Sequence, residues 1–244
     1  MVEGSRDRIA SVSLSRLTLL HFVITIILMQ SQIRPTPDNT SAHERVYRHL
    51  RSRIMHGELD PGESLTIRGI GADYDVSMTP AREAVRRLAA EGALTLSSSG
   101  RVTAPDLSAE RIEELTALRA LLEPELAARA LPRAHMTLID RLRAINARVS
   151  ECVANQDASG YLRTNLEFHR TIYLRAQAPA ILAMAETVWL QLGPTMRALY
   201  ASGQRTDLQR HHRMILSALA AGDEPALRLA VRTDVTQGLK MLVG

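Results

Sequence analysis

The chain holds one cysteine, Cys152, and one lysine, Lys240, in 244 residues, and only 3% of it is aromatic. A lone cysteine rules out an intramolecular disulfide and a cysteine-built zinc site, and it suits a reducing cytoplasm. With Lys240 the sole lysine there is no phosphate-binding P-loop, and neither His-Glu-x-x-His nor Gly-x-Ser-x-Gly occurs. Apolar length is short as well. The run from Leu17 to Met29, behind Arg6, Arg8 and Arg16, is about 13 residues, where a helical span needs about 20. It contains His21, and the stretch after it, with Pro35 and Pro37, offers no small-residue cleavage site. We therefore expect no membrane partner, and residues 1–40 to be an extension, disordered or lying ahead of a later start at Met29.

What is present is 45% apolar and rich in Ala, Leu and Arg. Small and γ-branched side chains suit packed helices better than a β-sandwich, and the length accommodates two domains. The expected fold is mainly α. A net charge of +4 and a pI near 9.7 lean toward an anionic partner. Yet residues 41–105 carry nine arginines against eight carboxylates, so the placement of those arginines matters more than their number.

That placement is ordered. Val46, Leu50 and Ile54 recur at helical spacing and Gly57 stands where a helix ends. Asp60-Pro61-Gly62 is a turn, and Thr66 to Asp73 forms a short second helix. Thr79 is placed to cap a third helix with Pro80 in its first position. Along that helix Ala81, Ala84, Val85, Leu88 and Ala89 form an apolar stripe, with Arg82, Arg86 and Arg87 off it. An arginine in the first turns of such a helix can reach guanine in the major groove, and the helix start attracts phosphate. Leu94-Thr95-Leu96 and Arg101-Val102-Thr103 then alternate as two strands around a turn, a wing with Gly100 and Arg101 at its tip. The whole is a winged helix-turn-helix over residues 41–105.

This segment resembles the DNA-binding domain of the GntR family, most specifically at Gly57-Glu58-Leu59-Asp60-Pro61-Gly62 and at Thr79-Pro80-Ala81-Arg82-Glu83-Ala84 leading into Arg87-Leu88 and Glu91-Gly92. The resemblance implies operator contacts at Arg68, Thr79, Arg82 and Gly100, and Arg101 joins them from its place in the wing. Met78 stands where the family usually has arginine, which implies an atypical operator. Structural alternatives stand beside each role: Thr79 as a cap only, Gly100 as a turn only, Arg68 paired with Asp73 or Asp75.

From Leu107 onward the pattern is helical, with breaks near Pro132, Asp157 to Gly160, Ala176 to Pro179, Ser202-Gly203 and Gly222-Asp223. About six helices follow, filling residues 106–244 as an effector-binding and dimerisation domain. Pro124 should bend the first of them without ending it, since Leu118, Leu122 and Leu126 continue the stripe. Polar residues on apolar stripes need partners. Asn165 and His169 share a face with Leu162, Leu166, Ile172 and Tyr173; His212 lines up with Leu208, Ile215 and Leu219; Asp234 lines up with Leu227, Ala230 and Val231. Two imidazoles and a carboxylate suit a divalent metal. Taken singly, an inward histidine is more often a hydrogen-bonded core residue and Asp234 has Arg232 as a partner nearby in sequence; it is the set together that points to a metal.

This half resembles the FadR-like effector domain called FCD, through Arg119-Ala120-Leu121-Leu122-Glu123-Pro124, Phe168-His169-Arg170, the segment His212 to Ala218, and Gly222-Asp223. The resemblance implies a metal (Zn or Ni) at Asn165, His169, His212 and Asp234, beside a carboxylate-bearing effector met by Arg119. Two of the four ligand positions depart from the family's Asp, His, His and His: Asn165 replaces the Asp and Asp234 the last His. A surface pair of Arg119 with Glu123, four residues on, is the alternative. The function implied is a ligand-responsive transcription regulator, a repressor released from operator DNA by a small organic acid, acting as a homodimer on an inverted repeat. The rival is a metal-dependent enzyme on the helical domain, against which the missing catalytic motifs speak.

Overall fold

A computed structural model describes residues 41–201 and 208–243. The extension at 1–40, its apolar run and the break at Ser202-Gly203 lie outside them. Among the described residues the N-terminal part is built from α1 (Ala42–Met55), β1 (Ser64–Thr66), α2 (Ile67–Asp73), α3 (Met78–Ala90), β2 (Thr95–Leu96) and β3 (Arg101–Thr103). Helix α1 buries Val46, Tyr47, Leu50 and Ile54 against Ala81, Ala84, Val85 and Leu88 of α3, the faces that helical spacing predicts.

The wing has one strand more than expected. β3 pairs antiparallel with β2 and also with β1, Leu65 opposite Val102, giving the order β1-β3-β2. Three residues are too few for alternation to show, and the strand is fixed by its pairing with β3, where Leu65 lies opposite the buried Val102. The start of α3 also differs from expectation. Ser77 is the N-cap and its side chain makes no cap bond, so Thr79 is not the cap and Pro80 is the third helical residue. Proline is tolerated there because the first-turn amides have no intrahelical acceptor.

Among the described residues six α-helices follow: α4 (Ala109–Ala130), α5 (Met136–Ala154), α6 (Ala158–Tyr173), α7 (Pro179–Ala201), α8 (Leu208–Ala221) and α9 (Glu224–Val243). Their core gathers Leu126, Leu142, Phe168, Ile172, Trp189, Ile215 and Val231. Helix α4 runs through Pro124 unbroken. Its stripe shifts, however: Leu118 is 42% exposed, and Ile112 and Leu115 turn instead to Val188 and Leu192 of α7. A second helix alongside, α9, takes the other flank, with Arg228 Nη1 2.9 Å from Glu125.

Helix α7 also carries the N-terminal head. Leu190 is fully buried in the core of the head. Gly193 comes so close to α1 that a Cβ there would lie 2.0 Å from the Ile54 carbonyl oxygen. Gly57, in the left-handed region at φ +64°, ends the α1 turn where a Cβ would meet Leu162 and Arg197. Gln191 Nε2 donates to the Glu91 carbonyl at 3.0 Å and Arg197 Nη1 to the Gly57 carbonyl at 3.1 Å.

Candidate functional site

At the start of α3, Met78, Thr79, Arg82, Glu83 and Arg86 line an open concavity of about 270 Å³. The three arginines of this helix do not share one role. Arg87 Nη1 lies 2.7 Å from Glu44 and Arg87 Nε 3.5 Å from Glu91, with its guanidinium 3.5 Å over the Tyr47 ring. It ties α3 to α1 and is removed from the basic face that sequence spacing assigned to it. Among the described residues Arg82 and Arg86 form no ion pair, and neither do Arg68 and Arg101; all four are exposed. Arg68 is therefore not paired with Asp73 or Asp75. The Oγ1 of Thr66, not of Thr79, makes a helix cap in this region, accepting from Gly69 N at 2.9 Å to start α2. Thr79 is exposed, and its hydroxyl is not spent on a cap.

The wing turn closes through Gly100 N donating to the Ser97 carbonyl at 3.0 Å, with Gly100 at φ +83° and open space around its Cα. The backbone conformation alone accounts for glycine there. Arg101 follows it at the exposed start of β3.

The second site lies inside the bundle. His169 on α6, His212 on α8 and Asp234 on α9 bring one ligand atom each within 4.8 Å of one another. Both imidazoles are buried, and Phe168 stacks on the His212 ring at 3.9 Å. The protons are placed by the outer ring nitrogens. His212 Nδ1 lies 2.9 Å from Asn146 Oδ1; the oxygen accepts, so Nδ1 carries the hydrogen and Nε2 keeps its lone pair. His169 Nδ1 is 3.2 Å from the Tyr173 hydroxyl, which itself donates to Glu123 Oε2 at 3.0 Å. The hydroxyl oxygen is thus an acceptor for His169 Nδ1–H, which leaves Nε2 facing the pocket.

That Nε2 is a buried atom without a hydrogen bond, although Asp234 Oδ2 is 3.0 Å away. Two imidazoles, each held at Nδ1 by an outer partner, and a carboxylate alongside fit a divalent metal. Burial holds His212 down to about 4, Asp234 opposing and His169 and His211 assisting. Burial pushes the Asp234 carboxyl up, but His169, His212 and Arg119 outweigh it and leave it at about 2. At neutral pH His212 is therefore neutral and Asp234 a carboxylate, the forms a metal requires.

Asn165 lies one turn before His169 on α6 and is half-buried; its amide is neutral and a weaker ligand than the carboxylate. Asp234 faces His169 rather than Arg232. Arg119 is buried, not on the surface, with Nε 2.5 Å from Glu123 Oε1. The pairing of Arg119 with Glu123 expected from their spacing is present, though buried and not on the surface, while sequence reasoning missed Asn146, Trp189 and His211 and gave Tyr173 no role beyond its stripe. His211 is buried, with Nδ1 4.0 Å from Asp234. The adjacent pair His211-His212 was the available signal, since neighbours on a helix point about 100° apart and can flank one acid. Among the described residues no helix is long and apolar enough to cross a membrane.

A winged helix carried by a helical sensor bundle is the build of a bacterial transcription regulator. The chain belongs to the GntR family: the model for bacterial regulatory proteins of the gntR family matches residues 42–103 and that for the FCD domain residues 114–237. It is 27% identical to the HTH-type transcriptional regulator McbR of Escherichia coli (strain K12), over 81% of this chain and 91% of that protein. It is 29% identical to the gluconate operon transcriptional repressor of Bacillus subtilis (strain 168), over 69% and 67%. The solved structure of E. coli McbR/YncC superposes with a TM-score of 0.77 at 25% identity, covering 83% of this chain and 97% of that one. The enzyme alternative is not supported, since family models and relatives alike are those of transcription regulators.

Proposed function

We propose that this regulator is a cytoplasmic homodimeric repressor whose residues 41–105 bind operator DNA. Residues 106–244 hold a divalent metal and a small carboxylate effector that releases the operator. The observation that carries the reading is the start of α3, where Thr79, Arg82 and Arg86 line one concavity and, among the described residues, both arginines lack an ion pair. Arg82 reads a base edge, Thr79 and Arg68 meet phosphate, and Gly100 and Arg101 bring the wing to the backbone. Two-fold symmetry sets the half-sites of an inverted repeat about one helical turn, ~34 Å, apart. Met78 supplies no charge at the helix start, so the flanking base is read without a guanidinium.

His169, His212 and Asp234 hold the metal, with Asn165 at its side. A divalent ion there supplies a Lewis-acidic point for an effector carboxylate, and Arg119 supplies the cationic partner. Support comes from the ligand atoms that His169, His212 and Asp234 bring together and from relatives that are repressors. Arg82→Glu should abolish operator binding, with the dimer intact by sedimentation and a wild-type melt. Footprinting should protect an inverted repeat. Undiminished affinity in the variant would remove α3 from the recognition role.

A further inference from the structure

Glu123 is fully buried, and its two oxygens are used by three elements at once. Oε1 accepts from Arg119 on its own helix and from Trp189 Nε1 of α7 at 2.9 Å; Oε2 accepts from Tyr173 of α6 at 3.0 Å. Through the Tyr173 hydroxyl the carboxylate reaches His169 Nδ1. Through Trp189 it reaches the helix on which the DNA-binding head is seated, since the next residues, Leu190, Gln191 and Gly193, are the head's contacts.

We propose that Glu123 is a positioning residue that couples the metal pocket to the DNA-binding head, with Tyr173 as its arm to His169 and Trp189 as its arm to α7. The proposal rests on the metal reading above. A ligand that draws on His169 changes what Tyr173 offers Glu123, and a carboxylate that competes for Arg119 changes the other oxygen. Buried hydrogen-bonded chains of this kind have few intermediate arrangements, because a displaced donor finds no water. Trp189 then shifts with α7, and a close backbone approach such as Gly193 to Ile54 cannot absorb the shift by side-chain adjustment.

Trp189 is the one tryptophan in the chain, so its emission reports the Glu123 contact directly. The test uses the full chain and Zn²⁺ alone as probe: Zn²⁺ affinity by chelator competition, Trp189 emission, and operator affinity with and without Zn²⁺. In the wild type Zn²⁺ should shift the emission and change operator affinity about fivefold or more, and operator DNA should change Zn²⁺ affinity by the same factor. Trp189→Phe should bind Zn²⁺ within about threefold of wild type while its operator affinity no longer responds. Gln191→Ala, which cuts the seat and leaves the relay, should keep the emission shift and lose most of the operator response.

Zn²⁺ binding with an unaltered operator affinity overturns the coupling and leaves the metal site standing. A full operator response in Trp189→Phe, or one without an emission shift in the wild type, also overturns it. Absence of Zn²⁺ binding in the wild type overturns the metal reading and this proposal together.

Discussion

Asn146 is on α5, a helix that supplies no metal ligand, yet its carboxamide oxygen decides which nitrogen of His212 is free. Outer partners of this kind are commonly worth 10–100-fold in metal affinity. Asn146→Ala should weaken Zn²⁺ binding by about that factor, measured by chelator competition, while operator affinity of the metal-free protein is unchanged; equal Zn²⁺ affinities would mean the imidazole is held by Phe168 alone. The neutral state of His212 has a further consequence. Its folded pKa, about 4, is below the unfolded value of 6.5. Between those values the unfolded chain takes up a proton that the folded chain refuses, so stability is lost as pH falls through that window. Asp234, at about 2, contributes its loss only below 3.8. The metal-free protein should melt at progressively lower temperature from pH 7 to pH 5, and His212→Gln should flatten that slope in a thermal-shift series. At this scale His169, His212 and Asp234 were legible in sequence because polar residues on apolar stripes are conspicuous. Asn146 was not, and of Glu123 only the pairing with Arg119 was, since the partner of Asn146 lies 66 residues away in sequence and the other partners of Glu123, Tyr173 and Trp189, lie 50 and 66 away.

Among the elements, α7 does two jobs: its Trp189 belongs to the bundle core and Leu190 to that of the head. The contact is backbone on backbone at Gly193, so Gly193→Ala should force α1 and α7 apart. Overpacking of this sort costs about 1–3 kcal/mol, and it should appear as faster amide exchange in Ala42–Met55 with exchange in α5 unchanged. Unaltered exchange in α1 would show that the helices re-seat without cost. Helices α1 to α9 followed from spacing and breakers, as amphipathic periodicity allows. Strand β1 did not, being three residues long, nor did the cap of α3: Thr79 before Pro80 looks like a helix start, but Ser77 holds the N-cap.

For the whole molecule, a ligand that binds only the folded state stabilises by mass action, about 2.7 kcal/mol at a hundredfold excess over Kd. Zn²⁺ should therefore raise the melting temperature, a chelator should reverse the rise, and His169→Ala should show neither effect. Because Leu190 is shared, head and bundle should unfold in one transition in the metal-bound protein; two separated transitions would mean the seat is weak.

The sequence by itself determined the helical class, the winged helix with its basic third helix, and three polar residues aimed at one core, because local periodicity and turn chemistry are written in neighbouring residues. Only the tertiary structure decided that Arg87 is a clamp while Arg82 and Arg86 form no ion pair among the described residues, that Arg119 is buried on Glu123, and that α7 contributes to the cores of both bundle and head. Those outcomes depend on which distant helices meet, and a buried charge or a free one is set by the neighbour it finds there.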